Sequence, residues 1–300
     1  MMPDAMHDRV LSDLRARLDA EVFAGDERSK PPPVLWHYTK DWGGLSGILT
    51  SKQIYARRSD KTNDDDELVR AERFVPDAIE RVIPQPTTHA NRLLSDFFVA
   101  WRRSLPAREE SFVAAFTSED DLVSMWRLYA DEGRGFSIGV DPEAVRPGQA
   151  QISGENGSSG FLRVIYRDEE IRRSLAEDFA STSRVVSEAY AASPRRDVFA
   201  TGYLYLGLAA GVMAMIAKHP SWRSEMEWRL FAFKPPAHMV QDNRCGVTLA
   251  PGGGRGHVRE IVVGPRAKSG AVTRVEKLLR DLGYRDGEVA VRQSDAPLRI

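Results

Sequence analysis

Two carboxylates and a guanidinium recur at alternate positions in Trp222, Arg223, Ser224, Glu225, Met226, Glu227, Trp228, Arg229 and Leu230. On a strand, alternation turns Glu225, Glu227 and Arg229 to one face and sends Met226, Trp228 and Leu230 into the core. Neighbouring charge would hold such carboxylates ionised, as a catalytic or binding site requires. The same pattern also describes a solvent-facing sheet surface on which Glu and Arg satisfy each other at little energetic gain. A second cluster is Leu35, Trp36, His37, Tyr38 and Thr39. Here Trp36 and Tyr38 share one face, and His37 and Thr39 the other. A histidine at a strand end can hydrogen-bond a ligand hydroxyl without changing charge, or can be satisfied by a nearby backbone carbonyl.

Two further clusters are open to a structural and a chemical reading. Thr62, Asn63, Asp64, Asp65, Asp66 and Glu67 precede a helix. Asn63 or an Asp caps that helix, and acids in its first turn complement the dipole. Alternatively, the crowded oxygens hold a hard cation, although no calcium-loop spacing is present. Met125, Trp126 and Tyr129 fall at helical spacing, the usual mark of core packing. In the chemical reading, Trp126 or Tyr129 stacks on a flat ligand.

Familiar signatures are missing. Gly252, Gly253, Gly254, Arg255 and Gly256 lack the Gly-Lys-Ser/Thr ending of a P-loop, and there is neither a Gly-x-Ser-x-Gly elbow nor a His-Glu-x-x-His pair. The single cysteine, Cys245, excludes an internal disulfide and a cysteine-rich zinc site, fits a reducing compartment, and reads as an inert thiol.

The elements that must position these side chains follow from periodicity. Val10, Leu11, Leu14, Leu18 and Val22 make residues 7–23 an amphipathic leader helix, which the prolines at 31–33 terminate. Strands are expected at 34–39, 53–57, 111–117, 136–140, 161–167, 226–233, 244–249, 258–263 and 288–293. Helices are expected at 45–50, 66–83, 88–105, 120–130, 169–192, 197–218 and 270–282. Pro76 should kink or divide the second of these helices, and Leu94, Phe97, Phe98 and Trp101 form the buried stripe of the third. Residues 147–160 are rich in Gly and Ser and read as a loop. Strands and helices intermix without regular βαβ spacing, so the fold class is α+β with a mixed sheet: a helical leader over 1–33 and one domain over 34–300.

The 300 residues carry 42 Lys and Arg against 43 Asp and Glu, so no whole-molecule attraction to nucleic acid or anionic lipid is built in. The apolar run at 201–217 is shorter than the roughly 20 residues of a spanning helix and reads as a buried core helix. Residues 1–24 lack a basic start followed by an apolar run, so neither a secretory signal nor membrane association is expected, and the cytoplasm is the expected location.

Taken in order, the motifs resemble a large bacterial family labelled as a domain of unknown function. Its members run His-Tyr-Thr, Asn-Asp-x-x-Glu, Met-Trp-x-x-Tyr-Ala, Trp-x-x-Glu-x-Glu-x-Arg, Ile-x-x-Gly-Pro and Ser-x-x-Pro-x-Arg, matched here at 37–39, 63–67, 125–130, 222–229, 261–265 and 294–299. The opening is also distantly similar to ADP-ribosyltransferases, including the DNA-modifying toxin type. That resemblance implies a split β-sheet core with added helices and NAD as substrate. It implies that His37 holds a ribose hydroxyl and that Tyr129, or else Tyr38, stacks on nicotinamide. Glu227 would bind the nicotinamide-ribose hydroxyl and stabilise the cationic transition state, and Glu225 would orient the acceptor. Thr39, Trp126, Arg229 and Asn63 complete the expected binding set. The acceptor would be nucleic acid or protein, and the setting a toxin or phage-defence system with an antitoxin or neighbouring defence protein as partner. Two alternatives stand beside this reading. One is a non-catalytic module that binds a nucleotide, nucleic acid or protein. The other is a metal-dependent hydrolase or nuclease built on residues 63–67 with Glu225 and Glu227.

Overall fold

The computed structural model describes residues 4–20, 30–61, 67–82, 92, 95–96, 99, 111–144, 158–233, 240–249 and 257–298. Asn63 and its acidic neighbours at 64–66, the apolar stripe Leu94, Phe97, Phe98 and Trp101, and the glycine run at 252–256 lie outside them.

Strand β1 (Leu35–Thr39) leads into α2 (Trp42–Ser51), the leader helix being α1 (Asp4–Leu18). Asp41 caps α2 by accepting the Gly44 N–H, and Lys52 closes it in a left-handed conformation. Strand β2 (Gln53–Arg58) follows. The expected helix at 66–83 is divided into α3 (Glu67–Arg70), a 3-10 turn (Ala71–Phe74) and α4 (Val75–Val82). Pro76 sits in the first turn of α4, where its missing N–H has no intrahelical acceptor to lose.

Strands β3 (Ser111–Thr117) and β4 (Phe136–Val140) enclose α5 (Val123–Tyr129). Asp120 and Asp121, expected within that helix, precede it instead: the Asp120 carbonyl accepts from the Tyr38 hydroxyl, and the Asp121 carboxylate from Trp126 Nε1. Strand β5 (Ser158–Arg163) begins inside the expected loop and ends short of residue 167. Its early start reflects pairing of Ser158, Ser159 and Gly160 with Phe233, Ala232 and Phe231 of β6 (Glu227–Phe233).

Two long helices, α6 (Asp168–Ala192) and α7 (Arg196–Ile216), pack against each other. Helix α7 is long and apolar enough to cross a membrane, but 56% of that apolar window is buried inside the protein. It stops before residue 218 because Ala217 leaves the helix to bridge Ile165, and the Lys218 N–H then bonds the Ile165 carbonyl. Strands β7 (Val240–Gln241), β8 (Arg244–Thr248) and β9 (Val258–Val263), helix α8 (Ala271–Asp281) and strand β10 (Ala290–Gln293) complete the described chain.

The sheet is mixed: β10 runs parallel to β9 and the other strand pairs are antiparallel, along the path β10-β9-β4-β1-β3-β2-β8-β7. Strand β3 is the hub. One of its edges pairs with β6 from Ser111↔Phe233 to Thr117↔Glu227. The other edge is shared: β1 meets it at Trp36↔Thr117, and β2 at Arg57↔Val113 and Arg58↔Phe112. Among the described residues no strand pairing falls opposite Ala115 on that edge, and Ala115 is exposed between buried neighbours. Both the α+β class and the mixed sheet agree with the reading of the sequence.

Helices α1, α4, α6 and α7 cover one face of the sheet, around Phe179, Tyr205, Leu206 and Val113. Helices α2 and α8 cover the other, around Leu45, Val275, Phe116, Trp228 and Leu230. The leader helix docks on this body. Leu14 and Leu18 are buried in the first core, and His7 bonds both Ser193 and Asp197.

Two glycines test this packing in opposite directions. A Cβ on Gly135 would lie 2.1 Å from the Thr39 carbonyl oxygen, a backbone atom, whereas one on Gly47 of α2 meets nothing within 4 Å. Gly135→Ala is expected to lower stability by roughly 1–3 kcal/mol or more. Gly47→Ala should raise it by up to about 1 kcal/mol through helix propensity. Urea denaturation midpoints of the two variants check both signs.

Candidate functional site

The acidic pair is assembled by a turn rather than by strand alternation. His219 caps the 3-10 helix Pro220–Glu225 through its ring nitrogen, and the helix turns Glu225 inward. Met226 then takes a left-handed conformation (φ 44°), and β6 begins at Glu227. Met226 is therefore 39% exposed and does not enter the core with Trp228 and Leu230, correcting the strand expected from residue 226. Glu225, Glu227 and Arg229 nevertheless come together, each 3% exposed.

A residue the sequence reading placed at the end of a helix holds them. Lys218, extended beyond α7 and buried, donates from Nζ to Glu225 Oε2 and to Glu227 Oε2, both at 2.7 Å. Arg229 Nε donates to Glu227 Oε1 at 2.8 Å, and Nη1 donates to the Met215 carbonyl at the end of α7. The Tyr129 hydroxyl donates to Glu225 Oε1 at 2.8 Å. Each of the four carboxylate oxygens thus accepts from this chain. Tyr166, also absent from the expected set, accepts the Glu227 backbone N–H at 2.9 Å. The signal for Lys218 was faint: a lysine directly after a long apolar run, followed seven and nine residues later by acids.

Two carboxylates and two cations leave the cluster without formal net charge. Burial alone would raise the Glu227 pKa, but Arg229 and Lys218 outweigh it and hold the carboxyl below its usual range. Burial pulls the Lys218 pKa down, and Glu227 and Glu225 more than reverse that. Burial raises the pKa of the Tyr166 phenol, which stays protonated.

The remaining expected residues divide. Trp126 is fully buried and packs edge-on against Tyr38, so it belongs to the core. Tyr38 is buried too, its hydroxyl donating to the Asp120 carbonyl and accepting from the Leu122 N–H. Thr39 is half-buried, with its hydroxyl against Gly44 at the start of α2. Half-buried His37 bonds the Ala115 carbonyl through Nδ1 at 2.9 Å and lies 5.3 Å, ring to ring, from Phe116. Burial lowers its pKa against that hydrogen bond, keeping the ring neutral near pH 7.

The registers separate His37 from the acids. Trp36, Thr117 and Glu227 are directly paired in one row across β1, β3 and β6, so their side chains share a face. His37 follows Trp36 and points to the other face, the side of Phe116 and Trp228. The expected site is therefore split by the sheet: Tyr129, Glu225, Glu227 and Arg229 converge on one face while His37 and Thr39 lie on the other. Among the described residues no group of three or more His, Cys, Asp or Glu could hold a metal.

A family model described as "Protein of unknown function (DUF2971)" matches residues 125–230. The match runs from the start of the Met-Trp-x-x-Tyr segment to the middle of β6, taking in Tyr129, Lys218, Glu225, Glu227 and Arg229 but not His37. No curated protein and no solved structure matches the chain.

Removing Lys218 should expose the cost of this cluster. Lys218→Met leaves two buried carboxylates short of a cation, a change expected to cost about 3–5 kcal/mol near neutral pH. Because the Glu227 pKa is depressed on folding, its stabilisation is complete above the unfolded-state value of about 4.3 and is lost as pH falls through the folded-state value. The gap between wild type and variant should therefore narrow in acid. Urea midpoints at neutral and acidic pH measure it, and an unchanged gap would show that the charges are not what Lys218 supports.

Proposed function

We propose that this chain is a non-catalytic binding module, holding a nucleotide-type ligand at the gap in its sheet without converting it. The observation that carries this reading is the separation of His37 from a Glu227 whose carboxylate oxygens both already accept from Lys218 and Arg229. A transferase of the kind the sequence resembles needs both residues on one substrate, with the carboxylate turned toward it.

What supports ligand recognition at the gap is the chemistry of His37. A neutral imidazole bonding a carbonyl through Nδ1 carries its proton there, which leaves Nε2 as an acceptor. An acceptor beside exposed Ala115, where β1 and β2 part along β3, suits a ligand hydroxyl such as that of a ribose. No charge change is required of it.

One observation favours a second reading, an NAD-dependent ADP-ribosyltransferase-like enzyme. Tyr129, Glu225, Glu227 and Arg229 converge, and Ala115, which accepts from His37, is the direct strand partner of Arg229. Only the hub strand lies between the two halves. In that reading Glu227 serves NAD once Lys218 and Arg229 give way, and Tyr129 stacks on nicotinamide.

Nicotinamide release and thermal shift, measured together, separate the two. The binding module predicts that NAD or ADP-ribose raises the melting temperature of the wild type, with no nicotinamide released. His37→Ala should weaken that binding roughly 3- to 10-fold, the worth of one neutral hydrogen bond. Nicotinamide release by the wild type that a folded Glu227→Gln variant lacks would establish the transferase instead.

A further inference from the structure

The wing formed by β2 and β8 presents a surface that the proposed ligand site does not use. Alternation sends Ile54 and Ala56 of β2, and Cys245 and Val247 of β8, into the core beneath α2 and α8. Gln53, Tyr55 and Arg57 therefore share the opposite face with their direct partners Thr248, Gly246 and Arg244. On this wing that face is open: Tyr55 is 50% exposed, and Arg57, Arg244 and Thr248 are exposed as well.

Two features of the face suit a ligand. Arg57 and Arg244 are directly paired, and like charges placed opposite each other in a sheet are destabilising. Among the described residues no ion pair relieves either of them, Asp242 in the adjoining turn included. Next along the ladder, Tyr55 lies against Gly246, where an added Cβ would sit 3.5 Å from the ring. The Gln53 amide also lies over Gly246, and half of Tyr55 is left in solvent. Exposed Lys52 stands at the head of the strand.

We propose that this face binds single-stranded nucleic acid, with a phosphate on the Arg57–Arg244 pair and a base stacked on Tyr55. Guanidinium pairs match phosphate oxygens in geometry and charge, and an exposed aromatic ring beside a cationic track is the usual platform for unpaired bases. A polymer fits better than a free nucleotide. Small ligands are enclosed in concave sites, whereas this is an exposed sheet face that runs about 13 Å from Gln53 to Arg57, enough for roughly two nucleotides. With a net charge of −1, the molecule as a whole does not attract polyanions, so the interaction depends on this patch.

The test is fluorescence anisotropy of a labelled oligothymidylate titrated with the full chain at low salt. The wild type should bind, with log affinity falling against log salt at a slope of about −0.7 for the one phosphate held by the arginine pair. Arg57→Ala with Arg244→Ala should remove the salt dependence and most of the binding. Tyr55→Ala should weaken binding roughly 5- to 150-fold, the range for one base stack. All three side chains are exposed, so melting temperatures near the wild-type value serve as the folding control. His37→Ala should leave oligonucleotide binding unchanged, because His37 lies on the opposite face, and this separates the present proposal from the ligand site at the gap. No binding by the wild type at low salt, or binding that persists in the arginine double variant, overturns it.

Discussion

An ammonium buried between two carboxylates restricts everything around it, because each desolvated charge is stable only while the others stay within hydrogen-bond reach. Lys218 imposes that restriction here. Its Nζ joins Glu225, which ends a 3-10 helix, to Glu227, which begins β6, and the lysine itself continues from the end of α7. Arg229 adds a tie from β6 back to the last turn of α7 through the Met215 carbonyl, and Tyr129 attaches α5. Three helical segments and a strand thus meet at one point of balanced charge. Replacing such a cluster whole by apolar side chains can be neutral for stability, whereas removing one partner leaves the others buried and uncompensated.

The same restriction explains which parts of the fold were legible in the sequence. Strands β1, β3, β4 and β9 were visible because their side chains alternate or run apolar between clear breaks, and those properties are local. The convergence of Glu225, Glu227 and Arg229 was anticipated, but through a single continuous strand. The actual route passes through a left-handed residue at Met226, and no rule of alternation predicts that for a methionine. Lys218 was hidden for a related reason. In sequence it is one more residue after an apolar helix, and only the bridge between Ile165 and Ala217, distant along the chain, turns it inward. The early start of β5 is equally non-local, since Ser and Gly become strand residues there by pairing with β6.

His37 shows how a motif can be read correctly at one level and incompletely at the next. Alternation along β1 put His37 and Thr39 opposite Trp36 and Tyr38, and the structure has them so. The sequence could not say which face of β1 would align with the face of β6 that carries Glu227, since that depends on the register of two strands against β3. A slip of one residue in the Trp36↔Thr117 pairing would have placed His37 with the acids. A one-residue register difference therefore separates an assembled pair from a divided one. The linear order of motifs carries no information about it.

The hub strand accounts for the division of labour. Along one edge of β3, unbroken pairing with β6 carries the buried ion cluster. Along the other, β1 and β2 each take one end and leave Ala115 exposed between them, with its carbonyl bonded by His37. A central strand with an unpaired stretch retains backbone polar groups that must be satisfied by side chains, solvent or ligand. Beyond that stretch, β2 continues into a wing whose open face carries Arg57 beside Arg244. The buried carboxylates are occupied by cations of their own chain, whereas the exposed arginines face each other without acidic partners among the described residues. Charge left uncompensated at a surface is what an approaching ligand meets, so the two proposed recognition sites lie at the gap and on the wing, away from the carboxylate pair that dominates the sequence.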